Sequence, residues 1–277
     1  MEKILPKKSL GQNFLVDKNI SRKIIDSLDI QSNDVIIEIG CGTGALTELL
    51  LNSKPDFLVS YDIDQRAIDS VKKLLASSKY KNFEVIHSDI RSVQISDIVK
   101  KYNLNSKKVK VIGNIPYNIS GDIFFWIFEQ CSFVEKSVIM IQKEVAQRLT
   151  AKPKTKSYGI TTVALNLIGN CRLLFDVSPK CFYPVPKVTS TVVEIIPDDK
   201  KYSKINFKEI MILVKMAFNQ RRKILRNALK EYINEKIGNE QIETLTESIS
   251  HYLTQRAEQL TVNDFIQLYN VLNESKK

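Results

Sequence analysis

Val35-Ile36-Ile37-Glu38-Ile39-Gly40-Cys41-Gly42-Thr43-Gly44 is a nearly continuous apolar run that ends in glycines at every second position. A Val- and Ile-rich run without polar alternation suits a strand buried on both faces, as in a parallel sheet. Glycines at its end let the chain turn tightly and let a ligand approach the backbone. Four similar runs follow: Phe57-Leu58-Val59-Ser60-Tyr61, Phe83-Glu84-Val85-Ile86, Val109-Lys110-Val111-Ile112 and Ser137-Val138-Ile139-Met140-Ile141. Between them, segments such as 66–75 and 122–128 carry helical spacing. Strand and helix in alternation predict βαβ units in a doubly wound α/β sheet.

After Ser157 the pattern changes. A helical stretch near 159–168 leads to Arg172-Leu173-Leu174-Phe175 and then to Thr191-Val192-Val193-Glu194-Ile195-Ile196, expected as an antiparallel pair closing the sheet. The polar Pro197-Asp198-Asp199-Lys200-Lys201 ends that strand. Residues 1–198 are therefore expected to form one large α/β domain and 199–277 a small all-helical one. Helices are predicted over 206–218, 221–235 and 261–272, the last capped by Thr261 with Asp264 in the capping-box position.

A chain of 277 residues, 43% hydrophobic and 26% charged, has room for one large domain and a companion, each with a core. The net charge of +10 favours a polyanionic partner, although a basic surface without function would carry the same charge. No apolar run reaches the roughly 20 residues that span a bilayer, so no membrane partner is expected. Residues 1–8 are basic but lack the apolar stretch of a secretory signal, and functional sequence beginning near Gly11 leaves little room for a transit peptide. Cys41, Cys131, Cys171 and Cys181 lie far apart with no Cys-x-x-Cys pair, which reads as reduced, separately buried thiols and not as a zinc site or a disulfide framework. With only two histidines, no metal is expected, and the compartment expected is the cytoplasm.

The loop Glu38-x-Gly40-x-Gly42-x-Gly44 is weak evidence alone, because dinucleotide enzymes place G-x-G-x-x-G at the same point. Here the final glycine of that pattern is missing. Asp62 ends the second strand, where a carboxylate can accept from both ribose hydroxyls of NAD or of S-adenosylmethionine. Asp89 ends the third and can accept from an adenine amine, or simply cap a helix. Gly, Asp and Asp in this order are similar to the class I methyltransferase fold, a Rossmann-like α/β fold, and favour a methyltransferase over a dehydrogenase.

The fourth strand ends in Gly113-Asn114-Ile115-Pro116-Tyr117, at the edge where ligands bind in such sheets. Adenine N6 is a poor nucleophile because its lone pair is delocalised into the ring. Hydrogen bonds from its two protons to the Asn114 side-chain oxygen and the Ile115 carbonyl would favour a pyramidal nitrogen aimed at a sulfonium methyl. Pro116 would fix the preceding carbonyl inward, and Tyr117 would stack on the base. No strong base is needed, because orientation supplies most of the acceleration. An Asn-x-Pro-Tyr turn without chemistry is the bland alternative, disfavoured by its place after strand four. Arg221, Arg222, Lys223 and Arg226 read as phosphate contacts, or as one solvated helix face.

With these residues in hand, the chain resembles the KsgA (RsmA) family of small-subunit ribosomal RNA adenine N6,N6-dimethyltransferases. The resemblance begins at Lys7-Lys8-Ser9-Leu10-Gly11-Gln12-Asn13-Phe14-Leu15 and runs through 38–44, Asp62, Asp89 and the tetrapeptide. It continues in 142–149, 157–159, Phe182-Tyr183-Pro184-Val185-Pro186-Lys187-Val188-Thr189-Ser190, 218–223 and Arg256-Ala257-Glu258-Gln259-Leu260. The resemblance implies S-adenosylmethionine as cofactor, held by Asn13, Leu15, Gly40, Gly42, Asp62, Asp89 and Asn114, with Phe182 stacking on the target base opposite Tyr117. It implies dimethylation of two adjacent adenosines in a hairpin loop near the 3′ end of small-subunit rRNA. The partner implied is a nearly assembled small subunit late in its biogenesis, and a monomeric enzyme is expected. Ser120-Gly121-Asp122 departs from the Ser-Thr-Pro-like run more usual in the family and puts the local loop geometry in question. The long 182–190 signature and the 256–260 segment speak against the related large-subunit rRNA methyltransferases. Nothing resembles the separate target-recognition domain of a DNA adenine methyltransferase. Intact Asn114, Pro116, Tyr117, Asp62 and glycine loop speak against an assembly factor without catalysis.

Overall fold

A computed structural model of the protein describes residues 4–76, 78, 80–103, 108–237 and 249–274; residues 1–3 of the basic amino-terminal stretch fall outside this set. The chain forms two compact units, one of residues 1–146 and 171–197 and the other of residues 147–170 and 198–277.

The first unit is built on β2 (Val35–Ile39), β3 (Phe57–Asp62), β4 (Phe83–His87), β5 (Val109–Asn114), β6 (Val134–Gln142), β7 (Gly169–Val177) and β9 (Ser190–Pro197), ordered 4-3-2-5-6-9-7 in one sheet. β2 to β6 are mutually parallel. β9 runs antiparallel to β6, and β7 is its neighbour at the edge, so both strands expected to close the sheet lie side by side there. All five residues of β2 are buried, with Ile37 between Val59 and Val111 in register, as its continuous apolar run requires. Helices α1 (Lys18–Leu28), α2 (Thr47–Ser53), α3 (Gln65–Ala76), α4 (Ile95–Lys101) and α5 (Ser120–Glu129) follow along the chain. Asp17 caps α1 by accepting from the N–H groups of Asn19 and Ile20. The sheet order reverses between β2 and β5, which opens a crevice at their carboxyl ends. A separate two-stranded ribbon pairs β1 (Phe14–Leu15) with β8 (Phe182–Tyr183).

The second unit is helical, but its membership differs from the expected division at 198/199. Residues 147–170, expected in the large α/β domain, belong with the carboxyl-terminal helices. The cause is apolar cover. After α6 (Lys143–Leu149), α7 (Ile160–Ile168) buries six of its side chains and packs on the helix Phe207–Asn219. Tyr158 stands 6.1 Å from Phe218 between ring centroids. The predicted helix over 221–235 is also corrected. Lys223 N–H donates to the Gln220 carbonyl in a turn, and helices run only over Leu225–Ala228 and Lys230–Ile237. The capping box at Thr261 forms, each residue's backbone N–H donating to the other's side-chain oxygen.

Candidate active site

The crevice is a cleft with about 1040 Å³ of free space between its walls, counting the solvent at its open mouth. Its walls are residues 10–15, 38–43, 45–46, 61–63, 88–91, 114–117 and 119. Apart from Phe182, every cofactor or catalytic residue singled out from the sequence is therefore on one cleft.

The loop after β2 turns with φ of 76° at Gly40 and 50° at Gly42, values that favour glycine. Glu38 lies beneath it, buried, accepting from Thr47 Oγ1 at 2.8–2.9 Å and from Ser60 Oγ. Burial pushes the Glu38 carboxyl up to about 7, against the pull of these hydroxyl donors. Asp62, 9% exposed, accepts from Gly42 N–H at 2.9 Å and Asp64 N–H at 2.8 Å. Its burial raises the carboxyl above the ordinary range, and the two N–H donors oppose that rise.

Asp89 makes the cap that one of its readings asked for and stands at the cleft that the other requires. It caps the turn at 90–92 by accepting from Arg91 N–H, and it faces the cleft. The Arg91 guanidinium grips it through Nε and Nη2 at 3.0 and 2.7 Å and holds its carboxyl below the usual range. Arg91 Nη1 also donates to Asp122 at 2.7 Å, so Asp122, part of the departure from the family pattern, props the arginine that orients Asp89.

Asn114 ends β5 with its side-chain Nδ2 donating to the Asn13 carbonyl at 2.9 Å. That bond leaves Oδ1 as the acceptor end of the amide. The Ile115 side chain is buried and its N–H donates to the Met140 carbonyl at 3.1 Å. Pro116 sits at φ −54° and ψ 134°. Tyr117 is half-buried, its hydroxyl 2.9 Å from Ser190 Oγ, and burial raises its pKa. Ser190, fully buried at the start of β9, is a contact that sequence reasoning missed, although it closes the quoted 182–190 signature.

Phe182 is corrected. The ribbon places Leu15 opposite Phe182 and Phe14 opposite Tyr183, and side chains alternate between the two faces of a strand. Phe182 points into the core with Leu15, Val177 and Val192 and is 2% exposed, while Tyr183 is 42% exposed. It is absent from the cleft walls, so it does not form the second face opposite Tyr117 in this structure.

Arg222, Lys223 and Arg226 are exposed in the second unit. Arg221 departs from them: its Nε donates to Glu258 at 2.5 Å and its Nη2 to the Thr155 carbonyl at 3.2 Å, which makes it a brace within that unit.

Residues 5–274 match the family of ribosomal RNA adenine dimethylases. The "Ribosomal RNA small subunit methyltransferase A" of Francisella tularensis subsp. novicida is 38% identical over 96% of this chain and 97% of its own length. The protein of the same name from Sulfurihydrogenibium sp. is 37% identical over the whole of both chains. A crystal structure of a dimethyladenosine transferase from Plasmodium falciparum superposes with a TM-score of 0.81 at 28% identity, covering 95% of this chain and 98% of that one. The 23S rRNA methyltransferase ErmE, at 20% identity and a TM-score of 0.65, shares the fold over 94% of this chain and all of its own.

Proposed function

The chain belongs to the ribosomal RNA adenine dimethylase family, and from that membership we infer which adenosines it modifies and which side chains do the work. It is an S-adenosylmethionine-dependent ribosomal RNA adenine dimethyltransferase. The substrate we propose is a pair of adjacent adenosines in the 3′-terminal hairpin loop of small-subunit rRNA, modified at N6. We place the reaction on a nearly complete small subunit in the cytoplasm, carried out by a monomer. Four free thiols suit a reducing compartment, and no helix among the described residues is long and apolar enough to cross a membrane.

The cleft suits the cofactor. The left-handed glycine turn leaves its backbone open, Asp62 keeps lone pairs beyond its two N–H donors for ribose hydroxyls, and Asp89 is held as a carboxylate at the next strand end. Asn13 and Leu15 line the same cleft. Bound S-adenosylmethionine supplies an electrophilic methyl group on a sulfonium sulfur. Asn114 Oδ1 accepts one N6 proton of the target adenine and the Ile115 carbonyl accepts the other, so the nitrogen lone pair turns toward the cofactor. Tyr117 carries the base on its ring, held in place by Ser190. The proton released from the cationic amine passes to water, so no side chain has to act as a strong base. Arg222, Lys223 and Arg226 contact phosphate.

The observation that carries this reading is the Asn114 amide, pinned through Nδ2 so that its oxygen is left for the substrate. Labelled methyl transfer to immature small subunits, with products resolved as N6-methyl- and N6,N6-dimethyladenosine, tests it. Asn114→Ala is expected to lose about a hundredfold or more in transfer while keeping RNA affinity. Equal loss of both in a folded variant would overturn the role, and absence of label from small-subunit RNA would overturn the substrate.

A further inference from the structure

Residues 5–13 form an amino-terminal strap that bonds to the tetrapeptide and packs against the residue that follows it. The Asn13 carbonyl takes the Asn114 Nδ2 proton at 2.9 Å. Two residues earlier, Gly11 is backed so closely against the chain after Tyr117 that a Cβ there would stand 2.6 Å from Asn118 Oδ1 and 3.7 Å from Pro116 Cβ.

Ahead of the ribbon that begins at Phe14, the strap is fastened to the Asp64 carboxylate, whose side chain is 2% exposed. Gln12 Nε2 donates to Asp64 Oδ2 at 3.0 Å, while Gln12 Oε1 accepts from the Lys7 N–H at 2.9 Å. Arg66 donates to the same carboxylate through Nε at 3.0 Å and Nη2 at 2.5 Å, and through Nη1 to the Leu5 carbonyl at 2.9 Å. Lys7 Nζ lies 3.9 Å from Asp64 Oδ1. Charge-assisted bonds onto one buried carboxylate are the strong, geometrically fixed kind. They hold Asp64 ionised, its carboxyl far below the usual range, with Arg66 the largest cause.

An amide side chain is nearly symmetric in shape but opposite in hydrogen-bonding sense at its two ends. The bond to Asn13 is what distinguishes them at Asn114. With the strap displaced, the amide is free to turn over and present N–H donors to an amine that itself needs acceptors. We propose that Gln12 and Asp64 are positioning residues for methyl transfer, which act through the Asn13 carbonyl to keep the Asn114 oxygen facing the target amine. This rests on the reading of Asn114 as the acceptor for N6.

Full-length Gln12→Ala, Asp64→Asn and the double variant are assayed on small subunits lacking the modification, with S-adenosylmethionine affinity measured separately by calorimetry. Each single variant is expected to lower kcat about tenfold, a larger factor than any rise in cofactor Kd. Because both act through one carbonyl, the double variant is expected within threefold of the worse single variant. An unchanged kcat in Gln12→Ala, losses that multiply, or a loss seated in cofactor Kd would each overturn the proposal. Should Asp64→Asn fail to fold, kcat against Kd in Gln12→Ala decides alone. Asn114→Ala run alongside separates the two ideas: wild-type kcat there removes the reading of Asn114, whereas an inactive Asn114→Ala beside a fully active Gln12→Ala removes only the strap.

Discussion

Glu38 supports the cofactor loop with a buried carboxyl, and its titration should be visible in the stability of the whole first unit. Its carboxyl titrates at about 7 when folded, against 4.5 for an ordinary glutamate. Between those values the folded chain holds a proton that the unfolded chain has released, so stability falls as pH rises from about 4.5 to about 7. At about 1.36 kcal/mol per pH unit, the gap amounts to about 3 kcal/mol, all of it incurred above pH 7. Glu38→Gln keeps an oxygen for the Thr47 or Ser60 hydroxyl but cannot ionise. Urea unfolding from pH 4.5 to 8, followed by fluorescence of the single tryptophan, Trp126 on α5 of the same unit, measures the difference. The variant should gain about 3 kcal/mol on wild type across that range. Some slope should survive in both proteins, since burial raises Asp62 in the same direction. Asp64, Asp89 and Asp176 are shifted downward, so they lose stability only as pH falls below the ordinary aspartate value of 3.8. Parallel pH profiles for variant and wild type would refute the argument.

Phe182→Ala should cost about 3–5 kcal/mol in urea unfolding, because it empties a packed core site; a variant of wild-type stability with impaired transfer would restore the stacking role. Gly113→Ala would put a Cβ 2.6 Å from the Ile39 carbonyl and 2.9 Å from Ile115 Cδ1, forcing β2 and β5 apart at a cost of about 1–3 kcal/mol. Gly121→Ala meets nothing within 4 Å inside α5 and should gain about 0.5 kcal/mol, which thermal unfolding of the two variants side by side would show. Arg222→Ala should weaken RNA binding and reduce the slope of log affinity against log salt by about one, whereas Arg221→Ala should mainly lower stability, as its partners are Glu258 and Thr155.

Much of the fold was legible because its signals are local. The apolar runs at 35–39, 57–61, 83–86, 109–112 and 137–141 each lie within an observed strand, and the Thr261–Asp264 box is written within four residues. Strand ends bearing Gly40, Asp62, Asp89 and Asn114 converge because parallel strands bring their carboxyl ends to one edge. Less was legible where an element's place depends on a distant partner. Phe182 reads from sequence as an aromatic beside prolines, and only its pairing with Leu15 turns it into the core. Arg221 looks like its basic neighbours until Glu258 claims it.

By itself, then, the sequence determined the alternating strand and helix pattern, the glycine turn, the carboxylates at successive strand ends and the place of the Asn114–Tyr117 tetrapeptide after the fourth of them, since each follows from residue type and short-range spacing. Tertiary structure alone decided which end of the Asn114 amide bonds to the Asn13 carbonyl, that Gln12 donates to Asp64, that the Tyr117 hydroxyl meets Ser190, and that residues 147–170 join the helical unit. Those outcomes depend on hydrogen bonds and apolar burial between segments far apart in sequence. No periodicity or motif within one segment carries that information, because the partner that satisfies a donor or covers a face is chosen only when the chain folds.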